Sequence, residues 1–115
     1  MNDLPTKSEI ETAAETVYAA MAPTPQYAWP LLAAASGANV WVKHENHTPT
    51  GAFKVRGGLV HMANLRAQKP GIKGVIAATR GNHGQSIAYG ARANGIVAGY
   101  VRPIAWRGSE MMGVS

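Results

Sequence analysis

The chain has no cysteine, a single phenylalanine and only six acidic residues among its 115. Without cysteine there is no disulfide framework and no thiolate metal site. No apolar run approaches the length of a membrane span. No secretory leader is legible either: the N-terminus is polar and acidic, and Pro23, Pro25 and Pro30 interrupt the only early apolar stretch. The cytoplasm is therefore the expected setting. The acids are also unevenly placed. Between Glu45 and Glu110 there is none, while that interval holds the bases Lys54, Arg56, Arg66, Lys69, Lys73, Arg80, Arg92, Arg102 and Arg107. A net charge of +5 laid out this way suggests an anionic partner. The bases are spaced singly and few aromatics are interleaved, so nucleic acid is the weakest of the candidates and no nucleic-acid or membrane partner is expected.

What is present is an ordinary globular composition, 46% apolar, in a length that suits one small domain or a piece of a larger one. Thr6 followed by Glu9 is a capping box, and Ile10, Ala13, Ala14, Val17, Tyr18 and Met21 recur at helical spacing, which predicts a helix over 6–21. A helical turn follows over 30–35, stopped by Ser36-Gly37. Val40, Trp41 and Val42 are β-formers within a strand expected over 39–44. A helix is expected over 55–67, ended by Lys69-Pro70-Gly71. The apolar run 74–79 reads as a strand covered on both faces. A further helix starts at Asn82 or His83 and runs to Asn94, with Gly95 as its stop. A last strand is expected over 96–101. Strands and helices alternating this way make an α/β fold built on a parallel βαβαβ unit. In such sheets ligands bind at the carboxyl ends of the strands. The loops 44–54 and 79–86 both leave from such ends, so both should face one crevice.

The first loop carries Lys54 into the first turn of a helix, where the helix dipole disfavours a cation. Thr48-Pro49-Thr50-Gly51 shapes the turn, and Phe53 precedes the lysine. A lysine amine held in that position can form a Schiff base with a carbonyl cofactor; an idle surface lysine is the alternative. The second loop is Thr79-Arg80-Gly81-Asn82-His83-Gly84-Gln85-Ser86. Its glycines and the helix start behind it form a cradle for a carboxylate or a phosphate. It is neither a Walker loop nor a dinucleotide fingerprint, because the glycine and lysine spacings do not fit. His44, Glu45 and His47 do not make a metal set, since adjacent strand residues point to opposite faces. Trp29, Trp41 and Trp106 read as packing residues.

Together the two loops resemble one family. Pro49-Thr50-Gly51-Ala52-Phe53-Lys54-Val55-Arg56-Gly57 is similar to the cofactor-lysine motif of fold type II pyridoxal-phosphate enzymes, the tryptophan-synthase-β group. Gly81-Asn82-His83-Gly84-Gln85 is similar to the Ser-x-Gly-Asn-His-x-Gln loop of that family. Pro23-Thr24-Pro25 and the stretch from Val40 to Asn46 fall where the family has its Thr-Pro segment and its Leu-Lys-x-Glu strand. Val55, where other branches carry aspartate, points to the threonine/serine dehydratases. A serine racemase or a 3-hydroxyaspartate ammonia-lyase is the alternative within the family, and a non-catalytic anion- or nucleic-acid-binding module the alternative outside it.

The resemblance implies pyridoxal 5'-phosphate held by Lys54, with Phe53 packed on its ring and Asn82 bonded to the ring hydroxyl. It implies that Thr79, Gly81, His83 and Gln85 bind the carboxylate of an amino-acid substrate, which would lose its β-hydroxyl and then ammonia to give a 2-oxo acid. Relatives of full length are expected to be homo-oligomers. Arg80 stands where the family has a small residue and is a candidate reader of a second anionic group. Three segments are expected: a helical one over 1–37 that belongs with a larger domain, a partial cofactor domain over 38–103, and a divergent tail over 104–115. The tail departs from the family pattern after Pro103, as a frameshift or truncated gene would. A chain lacking the family's phosphate loop is expected to be inactive alone.

Overall fold

A computed structural model describes residues 4–103; the tail expected to diverge, with Trp106, lies outside them. The elements are α1 (Lys7–Ala20), β1 (Gln26–Ala28), α2 (Pro30–Ser36), β2 (Trp41–Lys43), a 3₁₀ turn (Glu45–His47), α3 (Lys54–Gln68), β3 (Gly74–Thr79), α4 (Asn82–Ala93) and β4 (Ala98–Pro103). The capping box is present as read. The Thr6 hydroxyl accepts from the Glu9 amide at 3.3 Å, and the Glu9 carboxylate accepts from the Thr6 amide at 2.7 Å. These bonds satisfy donors that the start of a helix leaves free, and the Thr6 amide holds the Glu9 carboxyl below its ordinary range.

Helix α3 is the hub. Val55 and Leu59 are buried against Val17 and Met21 of the α1 end, with Tyr89 of α4 closing the cluster. Met62, a turn further along, packs with Ile87, Ala91 and Ile96, and Val75 and Ala77 of β3 close against them. Apolar residues on two sides of α3 thus join α1 to the α4–β3 layer. The Tyr89 hydroxyl donates to the carbonyl of Ala20 at 3.3 Å and adds a polar tie between them.

The chain is α/β, with one correction to its strand pairing. β3 and β4 pair in parallel, from Gly74 opposite Ala98 to Thr79 opposite Pro103, with α4 as their crossover. β2 does not join them. It pairs antiparallel with β1, placing Gln26 opposite Lys43 and Ala28 opposite Trp41. β1 sits in a proline-interrupted stretch that carries no strand signature. The short helix α2 reverses the chain after it, and the resulting pair is extended by bonds from His44 N–H to the Pro25 carbonyl and from Trp29 N–H to the Val40 carbonyl. The reversal supplies β2 with an antiparallel neighbour from the adjoining stretch of chain, and its ladder bonds run to β1 rather than to β3 or β4.

Two further expectations are modified. β3 is covered on one face: Val75 and Ala77 face the helices, whereas Ile76 is 75% exposed. Among the described residues α3 and α4 cover that one side and nothing covers the other. Trp29 and Trp41 are likewise not core residues, being 44% and 63% exposed. Trp29 instead donates its indole N–H to His44 Nε2 at 3.0 Å and meets Tyr27 edge-on.

Candidate active site

Lys54 is the first residue of α3, and the loop before it is held by its own side chains. Thr48 is buried, and its hydroxyl both accepts from the Ala52 amide and donates to the Ala52 carbonyl, each at 2.9 Å. Gly51 takes a φ of 68°, a left-handed conformation that only glycine adopts without strain, and donates to the Thr48 carbonyl. Phe53 caps α3 with no side-chain bond, and Val55 on the far side of Lys54 is fully buried. The lysine is therefore fixed at its backbone between a tight turn and the core. Its side chain is exposed, with Nζ 5.7 Å from the centre of the Phe53 ring. It makes no hydrogen bond or ion pair among the described residues.

Behind Lys54 lies a cluster that the sequence did not announce as a unit. Glu45 Oε2 accepts from Arg56 Nε at 2.7 Å, and Glu45 Oε1 accepts from Arg56 Nη2 at 3.0 Å. This is the two-pronged geometry that suits a guanidinium to a carboxylate. Oε1 also accepts from the hydroxyl of buried Thr24 at 2.6 Å, and Arg56 Nη2 reaches the same hydroxyl at 3.2 Å. Lys43 Nζ donates to the Thr24 carbonyl at 3.2 Å. The Arg56 hydrogen bonds bring the Glu45 carboxyl down to about 2, with Thr24 and the charges of Arg56 and Lys43 adding to the effect and desolvation opposing it. One signal was available. Glu45 is the last acid before a long basic interval, and a lone acid among bases is a natural partner for one of them.

The second loop runs from the end of β3 into α4. The Thr79 hydroxyl accepts from the amides of Gly81 at 3.1 Å and Gly84 at 2.9 Å and donates to the Gly81 carbonyl. Thr79 thus spends its hydroxyl on the backbone of its own loop. The amides of Gly84 and Gln85 also bond to the Gly81 carbonyl. The amides of Asn82 and His83 have no partner among the described residues, and they sit at the positive end of α4. The side chains of Arg80, Asn82, His83 and Gln85 are exposed.

Contacts between α3 and α4 bring the two loops to one end. Gly58 rests against the backbone of Ser86, and one turn on Met62 meets Gly90. The helices therefore run in the same sense, with Lys54 and Asn82 at neighbouring N-termini. An apolar cavity of about 410 Å³ lies elsewhere, lined by Val75, Ile87, Ala91 and Ile96 toward the other half of α4, and contains none of the loop residues.

A model of the family "pyridoxal-phosphate dependent enzyme" matches residues 17–103, both loops included. The chain belongs to this family. Its similarity to the mitochondrial threonine dehydratase of Schizosaccharomyces pombe is 36% identity over 110 residues, 90% of this chain and 18% of that protein. Among solved structures, a pyridoxal 5'-phosphate-dependent aspartate racemase superposes with a TM-score of 0.76 at 27% identity, covering 90% of this chain and 34% of that one. A threonine deaminase from T.th. superposes at 0.70 with 30% identity, covering 83% and 33%. The chain thus spans about a fifth of the curated relative and a third of the solved chains.

The residues present fit the carbonyl and ring end of the family's cofactor. Lys54 offers a primary amine with no hydrogen-bond or ion-pair partner among the described residues, and Phe53 offers an aromatic face beside it. The paired amides of Asn82 and His83 suit an anionic group.

Proposed function

We propose that the protein to which these residues belong is a pyridoxal-phosphate-dependent ammonia-lyase acting on a hydroxy amino acid such as threonine or serine. The observation that carries this reading is the placement of the Lys54 amine and the Asn82 and His83 amides, none of them partnered among the described residues, at the same end of the α3–α4 pair. When bound, the cofactor supplies an electron sink for the pair left at Cα. Lys54 would hold the cofactor through its amine and, when that amine is free, would take the Cα proton on Nζ. Phe53 would pack against the ring, and Asn82 would donate to its hydroxyl.

The Asn82 and His83 amides hold the substrate carboxylate, with Gly81 allowing close backbone approach and Gln85 contributing its side chain. Thr79 keeps those amides aimed by bonding Gly81 and Gly84. The β-hydroxyl leaves as water, water returns in hydrolysis, and the net products are a 2-oxo acid and ammonia.

A second reading concerns the substrate. Arg80 stands in the carboxylate loop, and one of the structural relatives is an aspartate racemase, whose substrate bears two carboxylates. Arg80 would then favour 3-hydroxyaspartate over threonine, and an unchanged preference in Arg80→Ala would rule this out.

The main test is borohydride reduction after addition of pyridoxal phosphate, followed by peptide mapping. Covalent label at Lys54 of this chain is the expected result, together with 2-oxo acid release from threonine or serine by the full-length protein that Lys54→Ala abolishes. Absence of label at Lys54 would overturn the reading.

A further inference from the structure

We propose that Arg56 and Glu45 are positioning residues for Lys54, acting through the backbone as a clamp that closes the 45–54 loop onto the first turn of α3. The proposal rests on the reading of Lys54 given above and adds to it the device that aims the amine. Arg56 lies two residues past Lys54 and so about 200° around the helix, which places it on the opposite side from the amine. Its guanidinium is engaged there by Glu45 and Thr24. What it holds is the other end of the loop, since Glu45 opens the 3₁₀ turn that leads to Thr48 and Gly51.

A single carboxylate therefore joins the start of the loop to the helix at its end. The clamp is more than an exposed ion pair, which on its own contributes little. Both partners are about three-quarters covered, with side-chain exposures of 24% and 23%. The two-pronged bond fixes direction as well as distance. The groups around it converge from three parts of the chain. Thr24 bonds both partners, Lys43 holds the Thr24 carbonyl, and Arg56 Nη1 reaches the Tyr18 hydroxyl of α1 at 3.5 Å with its guanidinium 5.6 Å from the Tyr18 ring. Val55, between Lys54 and Arg56, has no exposed surface, so a shift of the clamp is transmitted to the helix start rather than absorbed.

The test compares Lys54 with other lysines of the same molecule. The full chain is treated with pyridoxal phosphate and borohydride, and label at Lys54 is expressed relative to label at exposed Lys7 and Lys69. Glu45→Gln and Arg56→Gln should each lower that ratio about tenfold, the scale of loss that follows from misplacing a reacting group. The double variant should fall no further, because the pair acts as a unit. Arg56→Lys keeps the charge but not the fork, and should lower the ratio less than Arg56→Gln. Where the wild type labels Lys54 preferentially, the same preference in Glu45→Gln and Arg56→Gln overturns the proposal. Where those variants do not fold, Arg56→Lys decides it in the same way.

Hydrogen exchange without cofactor separates this claim from the functional reading. Faster exchange over residues 46–56 with α4 unchanged supports the clamp even if the wild-type chain shows no preferential label at Lys54, a result that would sink the cofactor reading alone. Unchanged exchange over 46–56 overturns the clamp whatever the label shows.

Discussion

Gly58 lets the backbone of α3 lie directly on the carbonyl of Ser86 in α4: a Cβ at position 58 would stand 2.5 Å from that oxygen. The reverse holds at Gly90, where a Cβ would stand 2.5 Å from the Gly58 carbonyl. This close crossing sets the separation of the two helix N-termini and hence the distance from the Lys54 amine to the 79–86 loop. Gly58→Ala must push backbone away from backbone and should cost about 1–3 kcal/mol, seen as a lower urea midpoint. Gly57→Ala is the control. Its added Cβ meets nothing within 4 Å, and it should be neutral or stabilise by up to about 1 kcal/mol.

Acid should release the Glu45 clamp. The carboxyl sits at about 2 in the folded chain, below its ordinary 4.5, chiefly through the Arg56 hydrogen bonds. A lowered folded value means that the unfolded chain takes up the proton first. The contribution is therefore complete above about 4.5 and declines as pH falls through 4.5 toward 2. Denaturant titrations from pH 7 to 3 should show this loss in the wild type and a flatter profile in Glu45→Gln. The neutral-pH difference between them should be about 2 kcal/mol, as for hydrogen bonds to a charged group.

Thr79 should prove to be a loop-holding residue in measurements without ligand. Its hydroxyl is the acceptor for two loop amides, those of Gly81 and Gly84. Thr79→Val removes the acceptor at nearly constant volume, and amide exchange at Gly81 and Gly84 should rise, with a stability loss of about 1–2 kcal/mol. Thr79→Ser should retain slow exchange at both amides.

The core beneath Lys54 should dominate stability. Leu59 is 1% exposed between α1 and α4, and Leu59→Ala should cost about 2–5 kcal/mol in chemical denaturation. Leu31 is 85% exposed, and Leu31→Ala should stay within about 0.5 kcal/mol of the wild type.

Much of the site was legible because its parts are local. Thr48-Pro49-Thr50-Gly51 encodes a turn through conformational preference and short-range bonds, so Lys54 at the first position of α3 follows from neighbouring residues. The start of α4 at Asn82 and the capping box of α1 are short-range for the same reason. The Glu45–Arg56–Thr24 cluster was not legible as a unit. Nothing in composition says which base a lone acid will meet when the partners come from separate elements.

By itself the sequence determined the helices, the β3–α4–β4 order, the two loops and the family to which they belong, all properties of residue type at short spacing. Tertiary structure alone decided that β2 pairs with β1, that Ile76 and Trp41 stay exposed, and that Gly58 and Gly90 are crossing points. It also decided that Arg56 turns away from the site to hold Glu45. The physical reason is common to all four. Strand partners, covered faces, backbone approach and ion pairing depend on which distant segment arrives alongside, and that is settled only when the packed helices leave each backbone and charged group a single place to go.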